Sequence, residues 1–307
     1  MRNARWLAIG STALMWAVLA VGCTPAQAPS PPPAPSGASA EHTRSAGPLS
    51  ASLDGLTYVS DGRLLRVSGA TPAEIVRDGR RKLGVTAVRD NRGLLVTEER
   101  GDGADVVYAQ GPGVTSPLIL AHVDRATSLL GARYDAARQT LYYSVEGDPS
   151  ARFMSVVRGS SKAEAVSIGG SFSGDFDLED DGALVLVGVA QNPASLVSWR
   201  AGEARNLTSK LATAFFPTIS ANGERVCLTG TAAPDGEIAV WVFTRKDGSL
   251  RQLTSTAGLA PTCPVFSPDG SRIAFRGGHD GALHVVRTDG SRLATLPLGA
   301  DDAQLAW

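Results

Sequence analysis

The sequence has no excess of charge of either sign and is poor in aromatic residues and cysteine. It contains no apolar run long enough to remain as a membrane-spanning helix. Its 29 Lys+Arg balance 30 Asp+Glu, which removes the electrostatic footprint of a nucleic-acid-binding protein. Aromatic residues make up 6% of the chain, so stacking platforms for bases are scarce. No H-E-x-x-H, P-loop or C-x-x-C occurs, which excludes the metal, phosphate and redox chemistry those motifs carry. No G-x-S-x-G supplies a serine nucleophile, and no S-x-D-x-G-x-T-W box marks a sialidase. Glycine is plentiful, 34 of 307 residues, against an average of about 7%. That excess points to many turns and an all-β chain.

The first residues are organised differently from the rest. Arg2 and Arg5 precede an uncharged segment from Trp6 to Val21. It is shorter than the ~20 residues a membrane-spanning helix needs and fits the apolar region of a signal peptide. It ends Leu19-Ala20-Val21-Gly22-Cys23, which resembles a bacterial lipobox, with Ala20 where the motif usually has Leu. The resemblance implies cleavage after Gly22 and lipidation of Cys23; an ordinary secretory signal with an incidental cysteine is the alternative. A single acyl chain holds a protein to a membrane only marginally, and lipoprotein processing adds several. Residues 24–50 are dominated by Pro, Ala, Ser and Gly. Such a segment buries too little to offset its ordering entropy and is predicted to be a disordered, semi-extended tether, with His42 idle within it. The expected organisation is a signal peptide over 1–22, a lipidated cysteine and tether over 23–50, and a folded domain over 51–307.

Within that domain the sequence repeats. Pro217-Thr-Ile-Ser-Ala-Asn-Gly223-Glu-Arg-Val-Cys-Leu-Thr-Gly230 aligns with Pro264-Val-Phe-Ser-Pro-Asp-Gly270-Ser-Arg-Ile-Ala-Phe-Arg-Gly277. Weaker copies place equivalent turns at Gly55, Gly93, Arg138 and Gly182, so that successive units are spaced by 38 to 47 residues. Six units of this length fit a six-bladed β-propeller with four strands per blade. Asn-Gly and Asp-Gly supply the positive φ that tight hairpin turns need, and the flanking Val, Ile, Leu, Phe and Tyr suit strands packed between sheets. The chain ends Asp302-Ala-Gln-Leu-Ala-Trp307, which reads as an innermost strand, whereas the first unit reads as a blade lacking one. Joining the two would close the ring and leave no exposed sheet edge at the seam. Two unrelated β-sandwiches are the alternative.

Phe266-Ser-Pro-Asp-Gly-Ser-Arg-Ile-Ala-Phe275, together with the closures Leu207-Thr208 and Leu253-Thr254, resembles the WD40-like repeat of TolB-type propellers. The same repeats occur in the propeller of prolyl-oligopeptidase-like enzymes. The resemblance is carried by residues 212–300, with fainter copies over 53–200. It implies a six-bladed, often exported propeller acting mainly as a protein-binding platform. TolB itself normally carries an N-terminal α/β domain, in place of which this sequence has the tether.

Propeller ligands tend to sit where second-to-third-strand loops and inter-blade loops share a face. Acidic residues are expected on the first set: Glu98, Glu99, Asp102, Asp105, Glu146, Asp148, Asp235 and Asp280, with His279 beside the last. Arg77, Arg80, Arg81 and Lys82 form a basic cluster on the second set. Mixed charge on one rim suits a protein or peptide partner, although solvated loops are polar in any case. His279 and His284, astride a strand of the last unit, and His122 with Asp124, in a predicted loop, read as ordinary loop and strand residues, with metal binding as the alternative. Cys227 and Cys263 fall on facing strands of adjacent units, either as a disulfide, which an exported domain permits, or as two buried thiols. No cofactor is implied. The expected function is non-catalytic protein binding in the cell envelope by a lipid-anchored monomer, on the outer membrane of a Gram-negative cell or the outer face of a Gram-positive plasma membrane. One alternative is a metal-dependent lactonase or lyase, which would need acidic, Asn or His side chains converging on the central channel. Another is a structural or glycan-binding module.

Overall fold

The computed structural model describes residues 53–68, 71–89, 93–110, 118–124, 129–147, 151–188, 194–255, 258–279, 281–291, 294–296 and 305–307. Cys23, the tether, Asp148 and Asp280 lie outside them. The described residues form six antiparallel sheets arranged as a β-propeller. Blade 1 holds β1 (Thr57–Ser60), β2 (Arg63–Ser68) and β3 (Thr71–Glu74). Blade 2 holds β4 (Lys82–Ala87), β5 (Gly93–Arg100), β6 (Gly103–Gln110) and β7 (Leu118–Val123). Blade 3 follows with β8 (Leu129–Asp135), β9 (Thr140–Val145), β10 (Arg152–Val157) and β11 (Glu164–Val166). Blade 4 is β12 (Phe172–Leu178), β13 (Leu184–Gly188), β14 (Ala194–Arg200) and β15 (Glu203–Leu211). Blade 5 is β16 (Thr213–Ile219), β17 (Arg225–Thr231), β18 (Ala239–Thr244) and β19 (Ser249–Gln252). Blade 6 is β20 (Pro261–Phe266), β21 (Arg272–Gly277), β22 (Leu283–Arg287) and β23 (Ala294–Leu296).

The repeated Ser-x-Asx-Gly turn explains why blades 5 and 6 share one first-hairpin geometry. In blade 5 the Ser220 hydroxyl donates to Asn222 at 2.8 Å and accepts the Arg225 N–H at 3.0 Å. In blade 6 Ser267 donates to Asp269 at 2.5 Å and accepts the Arg272 N–H at 3.0 Å. Gly223 and Gly270 then take φ of 72° and 66°, which a side chain would resist. Each turn thus fixes the hairpin between the first two strands of its blade through local chemistry alone.

The core is divided among the blade interfaces. Val59 and Leu64 of blade 1 pack with Val85 and Val96 of blade 2. Leu95 and Val106 of blade 2 meet Tyr134 and Leu141 of blade 3. Phe153 meets Phe176 and Leu186, Val187 and Leu196 meet Leu228 and Trp241, and Val240 and Val242 meet Ile273 and Phe275. The sixth interface returns to the start: Ala274, Leu283 and Val285 of blade 6 pack on Leu56 and Tyr58 of blade 1, with Leu305 between them.

That seam is closed as the sequence suggested, though by less than a full strand. Thr57 donates its N–H to the Ala306 carbonyl at 2.7 Å and accepts the Ala306 N–H at 2.9 Å. Trp307 then donates its indole N–H to the Asp54 carbonyl at 3.0 Å, with Arg272 of blade 6 stacked 5.3 Å from its ring. Replacing Ala306 by Pro removes one of the two backbone bonds. It is expected to lower stability by about 1–3 kcal/mol, read as a reduced urea midpoint. An unchanged midpoint would show that closure does not depend on this pairing.

Candidate functional site

Two groups of charged side chains stand apart from the apolar interfaces. The first lies on the axis, in a cavity of about 90 Å³ lined by first strands of blades 2 to 6 and by Leu305 and Trp307. Its charged lining residues are Arg89, Arg133, Asp175 and Asp177. Arg133 donates from Nε to Asp177 Oδ1 at 2.7 Å, and its guanidinium carbon stands 5.8 Å from the centre of the Phe176 ring. The other Asp177 oxygen accepts the Ile219 N–H at 2.7 Å. One carboxylate therefore ties blades 3, 4 and 5. Arg89 reaches from blade 2 to the Leu178 carbonyl of blade 4 at 2.7 Å and the Ser220 carbonyl of blade 5 at 3.1 Å, and pairs with Asp180 at 3.0 Å. Bonds from blade 2 to blades 4 and 5 place this guanidinium across the axis, at the end where first strands turn into second strands. The cavity thus reaches the face opposite to the one on which loop residues were expected to gather.

Asp175 is the unusual member. Some water reaches it through the cavity, but protein surrounds it on nearly all sides. Burial pushes its carboxyl up to about 6, against the Phe216 backbone N–H, the Arg133 charge and the Ser173 hydroxyl, which favour the charged form. Phe216 adopts φ of 51° at a bulge in β16, and this left-handed turn presents its N–H to Asp175.

The second group crosses blade 2. Backbone register sets Lys82 opposite Glu98, Glu98 opposite Asp105, and Asp105 opposite His122. These four form one transverse row from inner to outer strand, because directly opposed residues share a sheet face. Lys82 Nζ lies 2.7 Å from Glu98 and 2.7 Å from Asp78. Arg80 donates to the other Glu98 oxygen at 2.7 Å. Asp105, with no exposed side-chain surface, bonds Arg100 at 3.1 Å and His122 Nδ1 at 2.8 Å. Bonding to Lys82 and Arg80 satisfies the buried Glu98, and removing either partner would leave an interior charge.

The expected rim residues divide accordingly. Arg80, Lys82 and Glu98 are brought together, but Lys82 and Glu98 are interior side chains, 2% and 3% exposed. Their expected loop position is corrected. Strands β5 and β6 run on to Arg100 and back from Gly103, so only residues 101 and 102 form the connecting turn. For the same reason His122 belongs to β7 rather than a loop. Arg77 and Arg81 stay at the surface with Glu74 at 3.6 Å and Glu99 at 3.9 Å. Asp102, Glu146, Asp235 and His279 are exposed and separate. No disulfide joins Cys227 and Cys263. Cys227 is buried against Val242, Ile273 and Phe275, while Cys263 lies on the cavity wall. His284 is buried, stacked on Phe275 with centroids 5.3 Å apart. Sequence reasoning did not single out Arg89, Arg133, Asp175 or Asp177. The available signal was charge in the apolar first strands, at Gly131-Ala-Arg-Tyr and Gly174-Asp-Phe-Asp.

No protein-family model and no curated protein matches this sequence. Solved structures do match. TolB from Acinetobacter baumannii superposes with a TM-score of 0.67 at 17% identity, covering 82% of this chain and 66% of that one, just under two thirds of its length. The fold is that of the TolB propeller. A chain of a nidogen/laminin complex gives a TM-score of 0.64 at 11% identity, covering 82% of this chain and 97% of that one. An oligogalacturonate lyase solved in complex with manganese gives 0.53 at 20% identity, covering 78% and 73%. At these identities the likeness establishes fold and leaves function to the site.

The TolB-like axis makes a pH-dependent prediction. In an unfolded chain the Asp175 carboxyl ionises near 3.8. Folding raises it, so the folded state disfavours the charged form. Stability is then greatest below about pH 4 for this group and falls as pH rises through about 6. The full loss is at most about 3 kcal/mol, reduced by the water that reaches the cavity. Asp175→Asn is expected to flatten the stability profile between pH 4 and 7, measured by urea midpoints at each pH. A profile with the same slope as the parent would refute the assignment.

Proposed function

We propose that this protein is an envelope lipoprotein, held to a membrane through Cys23 and a tether over residues 24–50, whose propeller is a non-catalytic protein-binding platform. One observation carries this reading. Arg133, Asp175, Asp177 and Arg89 are each bonded to another blade, whereas charges of both signs stand exposed at the blade edges. An axis so occupied serves the ring, and recognition falls to the rim. Arg77, Arg81, Asp102, Glu146, Asp235 and His279 supply mixed charge there, which favours register and on-rate with a protein surface. The TolB-type repeat and fold support the same reading.

The enzyme alternative draws on the likeness to the manganese-bound lyase and on Asp175, an axial carboxyl poised near neutral pH. The residues present do not suit a channel metal. Asp177 has both oxygens engaged, and Arg133 and Arg89 bring two positive charges to the place the ion would take. Among the described residues no three or more His, Cys, Asp or Glu side chains stand together as a metal set. A cavity of about 90 Å³ is also small beside the ~300–1,000 Å³ typical of ligand sites.

Two measurements test the proposal. Cys23→Ser is expected to remove the acyl mass from the mature N-terminus and move the protein from the membrane to the soluble fraction. Photo-cross-linking from positions 102 and 235 is expected to yield a discrete partner that is lost when Arg77 and Asp235 are charge-reversed and kept in Asp175→Asn. Retention of the adduct after charge reversal, or turnover of oligogalacturonate by the protein with Mn²⁺, would overturn the platform reading.

A further inference from the structure

The outer end of the charged row in blade 2 is built differently from its buried end. The His122 ring packs close against Gly103 of β6. A Cβ on Gly103 would collide with the Val123 carbonyl oxygen and stand 2.8 and 3.0 Å from Cε1 and Nε2 of the His122 ring. Gly103 is not among the residues with positive φ, so close approach of this ring and carbonyl, rather than backbone freedom, accounts for glycine here. The ring's orientation is fixed from the other side. Its Nδ1 is 2.8 Å from Asp105 Oδ1, and Asp105 is fully buried and held on its other oxygen by Arg100 at 3.1 Å. An ionised carboxylate only accepts, so Nδ1 is the donor to Asp105, and in the neutral imidazole Nε2 is then the nitrogen with the lone pair. The side chain as a whole is 43% exposed, and Nε2 stands 3.9 Å from Oδ1 of the fully exposed Asp124.

We propose that His122 and Asp124 form a surface site for a divalent transition-metal ion of the Zn²⁺ type, with Asp105 as the residue that orients the imidazole. A histidine that donates one ring N–H to a carboxylate and offers the other nitrogen outward is the usual arrangement of a metal-binding imidazole. Zn–N and Zn–O bonds of about 2.0–2.2 Å let one ion touch both Nε2 and Oδ1 at the observed separation. A rotation of the exposed Asp124 side chain closes the angle toward tetrahedral, and water completes the shell. An imidazole with a carboxylate suits zinc, copper or nickel better than calcium or magnesium. The charges also agree: Arg100 neutralises Asp105 and leaves Asp124 to meet the ion. This site is separate from the axis and does not depend on the protein-binding reading.

The test is a Zn²⁺ titration of the purified full chain by calorimetry, with competition against a chromogenic chelator. One ion per chain is expected. His122→Gln should abolish binding and Asp124→Asn should weaken it at least tenfold. Asp105→Asn, if its melting curve shows it folded, should weaken binding 10–100-fold while the ring remains. His279→Gln, at the exposed histidine of blade 6, should change nothing. In the parent, Zn²⁺ should shift the His122 ring resonances and raise the melting temperature. Failure to bind Zn²⁺ below millimolar concentration, or binding that survives His122→Gln, would overturn the assignment.

Discussion

Six twisted sheets share this axis because neighbouring blades pack face to face and the last meets the first. Toward the axis, hydrogen bonds from one blade to the next supplement that packing. Thr86 donates to the Ala132 carbonyl at 3.4 Å, Ser144 to Gly174 at 2.6 Å and Thr218 to Pro264 at 2.8 Å. Asp177 joins three blades by itself. Outside this inner layer, arginines repeat the connection between turns: Arg138 reaches the Asp181 carbonyl at 2.8 Å, Arg225 the Gly270 carbonyl at 2.8 Å, and Arg245 grips Glu179 with both nitrogens. These are charge-assisted bonds to fixed acceptors, stronger than neutral ones, and they set blade spacing that apolar contact alone would leave adjustable.

This arrangement constrains function as well as form. A buried ion pair contributes little net stability, yet breaking one by removing a partner costs about 3–5 kcal/mol. Once Arg133 and Asp177 are placed on the axis, neither can be redirected toward a substrate without that penalty. Arg89 compounds the effect by spanning the ring at one end. Groups that a channel enzyme would keep poised for reaction are committed to holding blades together. At the exposed ends of blade 2, Arg77, Arg81 and Asp102 stand at the surface, away from the axis.

How far the sequence revealed this depends on the range of the chemistry involved. The turns were legible because Ser220-Ala-Asn-Gly223 and Ser267-Pro-Asp-Gly270 encode their hydrogen bonds within four residues. The weaker copies at Gly55, Gly93, Arg138 and Gly182 extended the repeat to six units, and a first unit lacking its innermost strand pointed to closure by the last residues. The charged row of blade 2 was not legible, because it exists only once register is known. Glu98 and Asp105 were expected on a loop, and only the extension of β5 and β6 into a two-residue turn puts them face to face in the interior. Arg89 is further out of reach: its partners at 178 and 220 are adjacent only after three blades have wound around the axis.

The bulges of the first strands connect these scales. Register shifts occur between Lys82 and Gly84, Leu129 and Gly131, Phe172 and Phe176, Phe215 and Thr218, and Thr262 and Val265. In blades 4 to 6 the bulge contains a residue with positive φ: Gly174 at 95°, Phe216 at 51° and Cys263 at 50°. Glycine takes this conformation freely, but for Phe216 and Cys263 it costs on the order of 1 kcal/mol or more each. Phe216 shows what offsets that cost. Its turned N–H meets Asp175, whose ionised form the bond favours although burial opposes it. The backbone distortion and the displaced carboxyl are therefore one device, each tolerable because the other is present. This ties the pH response of the axis to the geometry that lets six first strands fit around it.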